Sequence, residues 1–139
     1  MIFVDTWAWL ALAHKRDPYH AAAAGQHQTL QQQKRRYVTT DYVLAETMAP
    51  LFGVLNFAKA EQFMLNVLQS IRTGRYLLEH ITPVRFERAW QMRRRYHDKP
   101  HISFVDFTSM VVMQDLGIAE VFSGDGHFLQ VGLGFRLVP

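Results

Sequence analysis

Short apolar segments alternate with longer segments of helical periodicity along the whole chain, and this alternation constrains the fold more than any other feature. Strands are expected at 2–4, 37–39, 76–81, 120–123 and 135–138. Segments with helical spacing or helix-start signals begin at Thr6, Tyr19, Thr40, Phe57, Pro83 and Ser103. The order predicts an α/β fold with a mostly parallel sheet flanked by helices, and functional residues beyond the carboxyl ends of the strands.

The composition is that of a folded protein, and it limits the chemistry. The 139 residues suit one domain, 1–139, and 49% hydrophobic against 19% charged residues exclude a disordered chain. Cysteine is absent, which excludes disulfides, thiolate zinc sites and cysteine nucleophiles. Oxygen atoms and imidazoles are therefore the strong metal ligands that remain.

The first sixteen residues are apolar but do not form a targeting signal. Asp5 interrupts them, no positive charge leads them, and no small-residue cleavage site follows. No apolar run approaches the roughly 18 residues that a membrane span needs. We therefore expect a cytoplasmic protein without a membrane partner. The net charge of +3 is compatible with a polyanionic partner without requiring one.

Four acidic residues stand where an apolar segment gives way to a turn or an early helical turn: Asp5, Glu46, Asp106 and Asp125. Taken alone, each has an ordinary structural explanation, because acids at helix starts and in turns are common. Their joint placement is harder to explain in this way, since two follow strand ends and two lie early in helices. In a parallel sheet those positions converge at one edge, and we expect a carboxylate cluster there.

Clustered carboxylates repel one another unless a positive charge lies among them. A divalent cation meets this requirement, and oxygen ligands without cysteine favour Mg²⁺ or Mn²⁺. The sequence leaves open whether one or two ions bind. A site of this kind is typical of enzymes that hydrolyse phosphodiester bonds.

Four segments, in this order and spacing, resemble the PIN-domain ribonucleases. They are IFVDTWAWLALA at the start, VTTDYVLAET in the first third, SFVDFTSMVVMQDLGIAEVFSGDGHF near the end, and FRLVP at the terminus. The similarity runs nearly end to end and is greatest to the toxin branch of bacterial toxin–antitoxin pairs. It implies a PIN-like three-layer α/β/α fold.

The resemblance also implies specific site residues, cofactors and partners. The metal-binding acids of the family would be Asp5, Glu46, Asp106 and Asp125, with Thr6 and Ser123 as supporting hydroxyl residues. Further implications are dependence on Mg²⁺ or Mn²⁺, endonucleolytic cleavage of RNA, a homodimer, and neutralisation by a small antitoxin protein. Thr6 and Ser123 depart from the residues most frequent at these positions, but each keeps a hydroxyl.

Several other residues have both a functional and an ordinary interpretation. Arg93, Arg94, Lys34 and Arg35 would bind RNA phosphates, but a solvated helix face explains them equally well. We place His127 and Asp98 outside the core site, as loop residues whose roles stay open.

Three functions compete with an endoribonuclease toxin. One is a non-catalytic RNA-binding or interaction module on the same fold, and another is a stand-alone RNA-processing nuclease. An aspartyl-phosphate phosphatase is disfavoured, because Trp7 stands where that chemistry requires a second aspartate.

Overall fold

The computed structural model describes residues 1–138, which form five strands, six α-helices and one 3-10 helix. The strands are β1 (Ile2–Val4), β2 (Tyr37–Thr40), β3 (Tyr76–Glu79), β4 (Glu120–Phe122) and β5 (Arg136–Val138). The helices are α1 (Thr6–Ala13), α2 (His20–Gln32), α3 (Asp41–Val54), α4 (Phe57–Arg72), α5 (Pro83–Arg95) and α6 (Phe104–Leu116), and the 3-10 helix covers Gly126–Leu129. Among these helices, none is both long enough and apolar enough to cross a membrane.

The strands form one sheet in the order β3-β2-β1-β4-β5, and every pairing is parallel. This confirms the predicted α/β fold. The chain winds outward from β1 in one direction through β2 and β3, and then returns to place β4 on the other side of β1. The strand order therefore reverses between β1 and β4, and the crevice beyond their carboxyl ends is where such folds bind ligands.

Side-chain caps explain where the helices begin. The N-cap side chains of four helices accept a hydrogen bond from the backbone N–H three residues later: Thr40 before α3, Asn56 before α4, Thr82 before α5 and Ser103 before α6. Gly117 ends α6 with a φ of 66°, a left-handed conformation that glycine adopts without strain.

The core lies on both faces of the sheet. All three residues of β1 are fully buried, and the continuous stretch from Asp106 to Met113 in α6 is buried as well. A helix buried around its whole circumference leaves no solvated face for a charge, so a carboxylate in it requires a local reason.

Most element ends match the expected ones within one or two residues, and the differences have local causes. β3 ends at Glu79 instead of continuing to residue 81, because the Ile81 N–H donates to the Asp41 carboxylate at 3.0 Å. α3 continues past Pro50 to Val54 despite the ring that interrupts its hydrogen bonding. The 3-10 helix after β4 was not expected.

Candidate active site

The carboxyl ends of β1 and β4 bring the first and last acids together. Asp5 follows β1 directly, and its N–H donates to the Phe122 carbonyl at the end of β4 at 3.3 Å. Ser123 and Asp125 follow β4. Residues more than one hundred positions apart in the chain therefore meet where the strand order reverses.

Asp5 occupies the N-cap position of α1, but its side chain does not cap the helix. One carboxylate oxygen, Oδ2, accepts a hydrogen bond from the Ser123 hydroxyl at 2.9 Å. The other, Oδ1, is buried without a hydrogen-bond partner among the described residues. An unpartnered buried oxygen is costly, and the ordinary capping explanation for Asp5 does not account for it.

The Ser123 hydroxyl connects two of the acids. Besides donating to Asp5, its oxygen accepts the Asp125 N–H at 3.0 Å. Asp125 in turn accepts the His127 N–H at 3.0 Å, which starts the 3-10 helix. Ser123 thus fixes the position of the Asp125 backbone relative to the Asp5 carboxylate.

Asp106 is held by a capping box and by an imidazole. Its Oδ2 accepts the Ser103 N–H at 3.2 Å, while the Ser103 hydroxyl accepts the Asp106 N–H. The same oxygen lies 3.1 Å from His127 Nδ1, which also lies 3.2 Å from Asp125 Oδ1. One imidazole nitrogen therefore bridges two carboxylates.

Glu46 reaches the cluster from α3, where it is partly buried. The Thr6 hydroxyl donates to the Val43 carbonyl, one turn earlier in α3, at 3.5 Å. It is also close enough to the Glu46 carboxylate to oppose part of the rise in the pKa of that group. Thr6 therefore links the start of α1 to the acid-bearing turn of α3.

Burial and mutual repulsion raise the pKa values of three of these carboxyls. Desolvation, followed by the charge of Asp106, raises the pKa of Asp5 from 3.8 to about 7. The pKa of Glu46 is raised by burial and by the charges of Asp106 and Asp125. The pKa of Asp106 is raised by burial and by Asp125, although the hydrogen bond from His127 opposes this. The fold thus brings carboxylates together without enough basic side chains among the described residues to balance their charges.

These features fit a divalent cation. The Asp106, Asp125 and His127 ligand atoms all lie within 4.8 Å of one another, and the unpartnered Asp5 Oδ1 belongs to the carboxylate that Asp106 repels. Carboxylate oxygens with at most one imidazole suit hard ions such as Mg²⁺ or Mn²⁺. Asp5 and Glu46 lie outside the tight group of three but within electrostatic reach of it.

His127 is the residue of this site that sequence reasoning left out. The sequence predicts a loop residue here, because a surface histidine that hydrogen-bonds a loop is the simplest interpretation of a histidine two residues after an acid. The unexpected 3-10 helix turns its ring back over Asp106. The one signal in the sequence that points towards it is its place two residues after Asp125.

Two further acids lie outside the cluster. Asp98 is exposed and pairs with its neighbour Lys99 at 3.2 Å. Asp115, at the far end of α6, pairs with Arg85 at 3.0 Å and Arg88 at 2.6 Å. Both are surface charges with basic partners.

The predicted RNA-binding arginine Arg93 has a structural role instead. Its guanidinium donates to the carbonyls of Ile102, Tyr96 (2.7 Å) and Lys99 (2.9 Å), and it lies over the Phe107 ring. These contacts hold the loop that leads into α6, so we leave Arg93 out of the RNA interface. Arg94 is exposed and stays a candidate.

Lys34 and Arg35 lie at the wrong edge of the sheet for the predicted role. They precede β2, and Arg36 accepts the Ile2 N–H at the start of β1, so they lie at the amino ends of the strands. Arg35 also pairs with Glu120 at 3.0 Å. The acids lie at the carboxyl ends, a full strand away, and this separation argues against contacts to the same phosphate.

The chain is similar to known proteins over nearly its whole length. The PIN domain family model matches residues 2–133. The 23S rRNA-specific endonuclease VapC20 of Mycobacterium tuberculosis is 35% identical over 134 residues, which cover 95% of each chain. The crystal structure of M. tuberculosis VapC20, a Sarcin-Ricin loop cleaving toxin, matches with a TM-score of 0.79 and 32% identity over 98% of this chain and 99% of that one.

A more distant structure shares the fold. The DNA-bound VapBC structure from Salmonella typhimurium matches with a TM-score of 0.66 over 99% of this chain and 98% of that chain. At 14% identity this likeness concerns the fold alone.

Proposed function

We propose, from the premise that the chain belongs to the PIN domain family, that it is a metal-dependent endoribonuclease and the toxin of a toxin–antitoxin pair. The observation that carries the proposal is the Asp5 carboxylate, which is buried and lies among three further acids. One of its oxygens has no hydrogen-bond partner among residues 1–138. A cation at this position would offset the cost of holding these carboxylates close together.

Asp5, Asp106 and Asp125 would hold the cation, with Glu46 nearby and His127 beside two of the three. When bound, a divalent ion supplies positive charge that keeps these carboxyls ionised and stabilises the charge that develops on phosphate oxygens during hydrolysis. The ionised donors and the absence of thiolates favour Mg²⁺ or Mn²⁺.

The remaining residues position the acids. Ser123 orients Asp5 and the Asp125 backbone, and the Ser103 capping box fixes Asp106 at the start of α6. Thr6 links α1 to the turn of α3 that carries Glu46. His127 Nδ1 lies within hydrogen-bonding distance of both Asp106 and Asp125 and so positions the two carboxylates relative to each other. All of these contacts lie within the protein, so the site is organised before substrate arrives.

We propose structured ribosomal RNA as the substrate class. The M. tuberculosis relative is a 23S rRNA-specific endonuclease that cleaves the sarcin–ricin loop, and it covers nearly the whole of this chain at 35% identity. A hairpin with the sarcin–ricin loop sequence is therefore the first RNA to test. Of the predicted basic residues, Arg94 stays the candidate for a phosphate contact, because it is exposed and does not precede β2 as Lys34 and Arg35 do.

We propose a small antitoxin as a protein partner. A cavity of about 840 Å³ lies between the end of α1 and the start of α4, with an apolar lining that includes Leu12, Leu55 and Phe63. Its rim carries Lys15, Arg16 and Lys59. An acidic amphipathic helix has the shape and charge to occupy it.

We also propose a homodimer. Exposed Phe52 and Phe57 contact each other at a ring distance of 5.6 Å, and Met48 and Val54 are also exposed nearby in α3. Large apolar side chains grouped at a surface favour association with another chain.

The decisive experiment is a cleavage assay of the sarcin–ricin hairpin and of a mixed RNA pool with Mn²⁺, Mg²⁺ or EDTA. Wild type should cut one or both RNAs with either metal and neither with EDTA. Asp5→Asn should abolish cutting, because it removes a charge on which the cation site depends. Retained binding by the variant would show that the loss is chemical.

Asp98→Asn is the matched control, since it removes the same charge from an exposed loop, and it should cut like wild type. A folded wild type that cuts neither RNA with any metal would favour the non-catalytic binding module. Cutting in EDTA would contradict the metal site. Cutting of the mixed pool but not of the hairpin would favour a stand-alone processing nuclease or a different RNA target.

A further inference from the structure

Trp7 lies beside the carboxylate cluster, one residue from Thr6 and two from Asp5. Its indole lies directly against Gly124, between Ser123 and Asp125: a Cβ at Gly124 would be 2.4 Å from Trp7 Cε2 and Cζ2. The residue between two site residues must therefore be a glycine if the indole is to keep this position. The contact places an aromatic ring at the edge of the cluster.

Trp7 differs from the neighbouring tryptophan in a way that points to a surface role. Trp9 is buried, with 2% of its surface exposed, and its indole N–H donates to Thr39 Oγ1 at 3.3 Å. Trp7 is only partly buried. Trp9 is a core residue, whereas Trp7 keeps part of its surface exposed and packs against the segment that carries Ser123 and Asp125.

Tyr19 extends this aromatic surface. It is 56% exposed, and its ring lies 5.4 Å from that of Trp7 at an angle of 48°. Two hydrogen bonds hold it there: its N–H donates to Asp17 Oδ1 at 2.8 Å, and the next residue, His20, contacts the Ala11 carbonyl at 2.7 Å. The two rings touch each other, so a ligand would stack on their outer surface and not between them.

We propose that Trp7 and Tyr19 form a stacking site for an unpaired nucleobase of the nucleotide next to the phosphate at the carboxylate cluster. The inference rests on the proposed nuclease function and adds to it a means of selecting unpaired RNA. The acids next to Trp7 repel phosphate groups, so binding at this position is easier through a neutral base than through the backbone of the RNA. Neutral aromatic rings bind bases by stacking. A base inside a duplex is already stacked and cannot reach these rings.

The test measures binding to a protein that cannot cut. In an Asp106→Asn, Trp90→Phe background, Trp7 and the buried Trp9 are the remaining tryptophans. Two probes are compared in the presence of Mn²⁺: a single-stranded oligouridylate, and a ribose-phosphate chain of equal length and charge without bases. The oligouridylate should quench tryptophan emission and bind on the order of tenfold more tightly or better, as expected for base stacking on an aromatic ring.

Variants at position 7 separate stacking from a structural role. Trp7→Leu should reduce the preference for the base-bearing probe to near onefold, and Trp7→Phe should restore most of it. Tyr19→Leu should give an intermediate preference. A merely structural Trp7 would instead weaken binding of both probes equally.

Three results would overturn the stacking site: equal binding of the two probes, an unchanged preference in Trp7→Leu, or no binding of either probe. Failure of the nuclease proposal is recognised separately, from a wild type that does not cut RNA. A wild type that cuts while its base preference is independent of Trp7 contradicts the stacking site alone. A base preference that depends on Trp7 in a protein without cleavage contradicts the nuclease alone.

Discussion

The two ends of α6 each carry an aspartate, and the pKa values of these two aspartates are shifted in opposite directions. Asp106, in the first turn, is buried among other acids, and its pKa is raised by burial and by Asp125. Asp115, in the last turn, contacts two arginines, and its pKa is lowered by hydrogen bonds from Arg88 and Arg85 despite some burial. The helix dipole alone would favour the opposite pattern, since it stabilises anions at the N-terminus.

The difference distinguishes an acid that stabilises the fold from one that the fold merely tolerates. The ion pairs of Asp115 are complete within the protein. The negative charges around Asp106 exceed the one imidazole that faces them. We infer that the unbalanced negative charge at the N-terminal end of α6 binds a positively charged ligand. Three measurements test this contrast between Asp106 and Asp115.

The largest expected effect comes from neutralising each aspartate in turn. Asp106→Asn should lower the RNA cleavage rate about a thousandfold, since several kcal/mol of transition-state stabilisation depend on the metal. Its free energy of unfolding in EDTA should be unchanged or higher, because a repelled charge is lost and an amide oxygen can still accept the Ser103 N–H. Asp115→Asn should cut within about twofold of wild type and lose up to about 1 kcal/mol of stability. Equal loss of cleavage in both variants would refute the contrast.

The next effect is the dependence of stability on pH. Between about pH 4 and 7 the native Asp5 carboxyl keeps a proton that the unfolded chain has lost, since its pKa rises from 3.8 to about 7. The free energy of unfolding in EDTA should therefore fall as pH rises through this window, by up to about 4 kcal/mol. Asp115 contributes with the opposite sign, because its lowered pKa gives stability that is lost when pH falls below the ordinary value.

Urea titrations across this range measure the slope. Asp5→Asn should flatten it, Asp115→Asn should not, and saturating Mn²⁺ should flatten it in wild type by stabilising the ionised carboxyls. A slope that is the same in wild type and Asp5→Asn would show that groups other than Asp5 determine it.

The smallest effect is expected at His127. His127→Gln should lower cleavage about ten- to hundredfold, as losses of groups that orient metal ligands commonly do. The loss should be greater at low Mn²⁺ concentration, because Asp106 and Asp125 would then be less well placed for the ion. Cleavage rates over a Mn²⁺ titration test this, with His101→Gln, an exposed histidine in the loop before α6, as control. Equal rates for the two variants would assign His127 to the loop, as the sequence had suggested.

The sequence predicted the fold well because its signals are local and repeated. Strand–acid–helix at Asp5 and the cap at Ser103 each specify their elements without distant information. The meeting of the acids at one edge also follows from the strand pattern, since parallel strands share a direction. The catalytic roles of these acids stay predictions.

What the sequence could not supply is the direction in which side chains point. Arg93 and Arg94 are adjacent in a basic run, yet one holds backbone carbonyls and the other faces solvent. The sequence predicted RNA contacts for Lys34 and Arg35, but in the structure they lie at the amino ends of the strands, and the acids lie at the carboxyl ends. His127 joined the site through a 3-10 turn that has no clear periodic signature.

The hydrogen bond between Ser123 and Asp5 spans 118 positions of the chain, and this has a consequence in time. Protein chains are made from the N-terminus at about 5–20 residues per second. Until β4 emerges and docks beside β1, Asp5 has neither Ser123 nor Asp125 near it. A nascent or truncated chain that carries three of the four acids but lacks β4 therefore has no assembled carboxylate cluster, and the cluster forms only after β4 has been made.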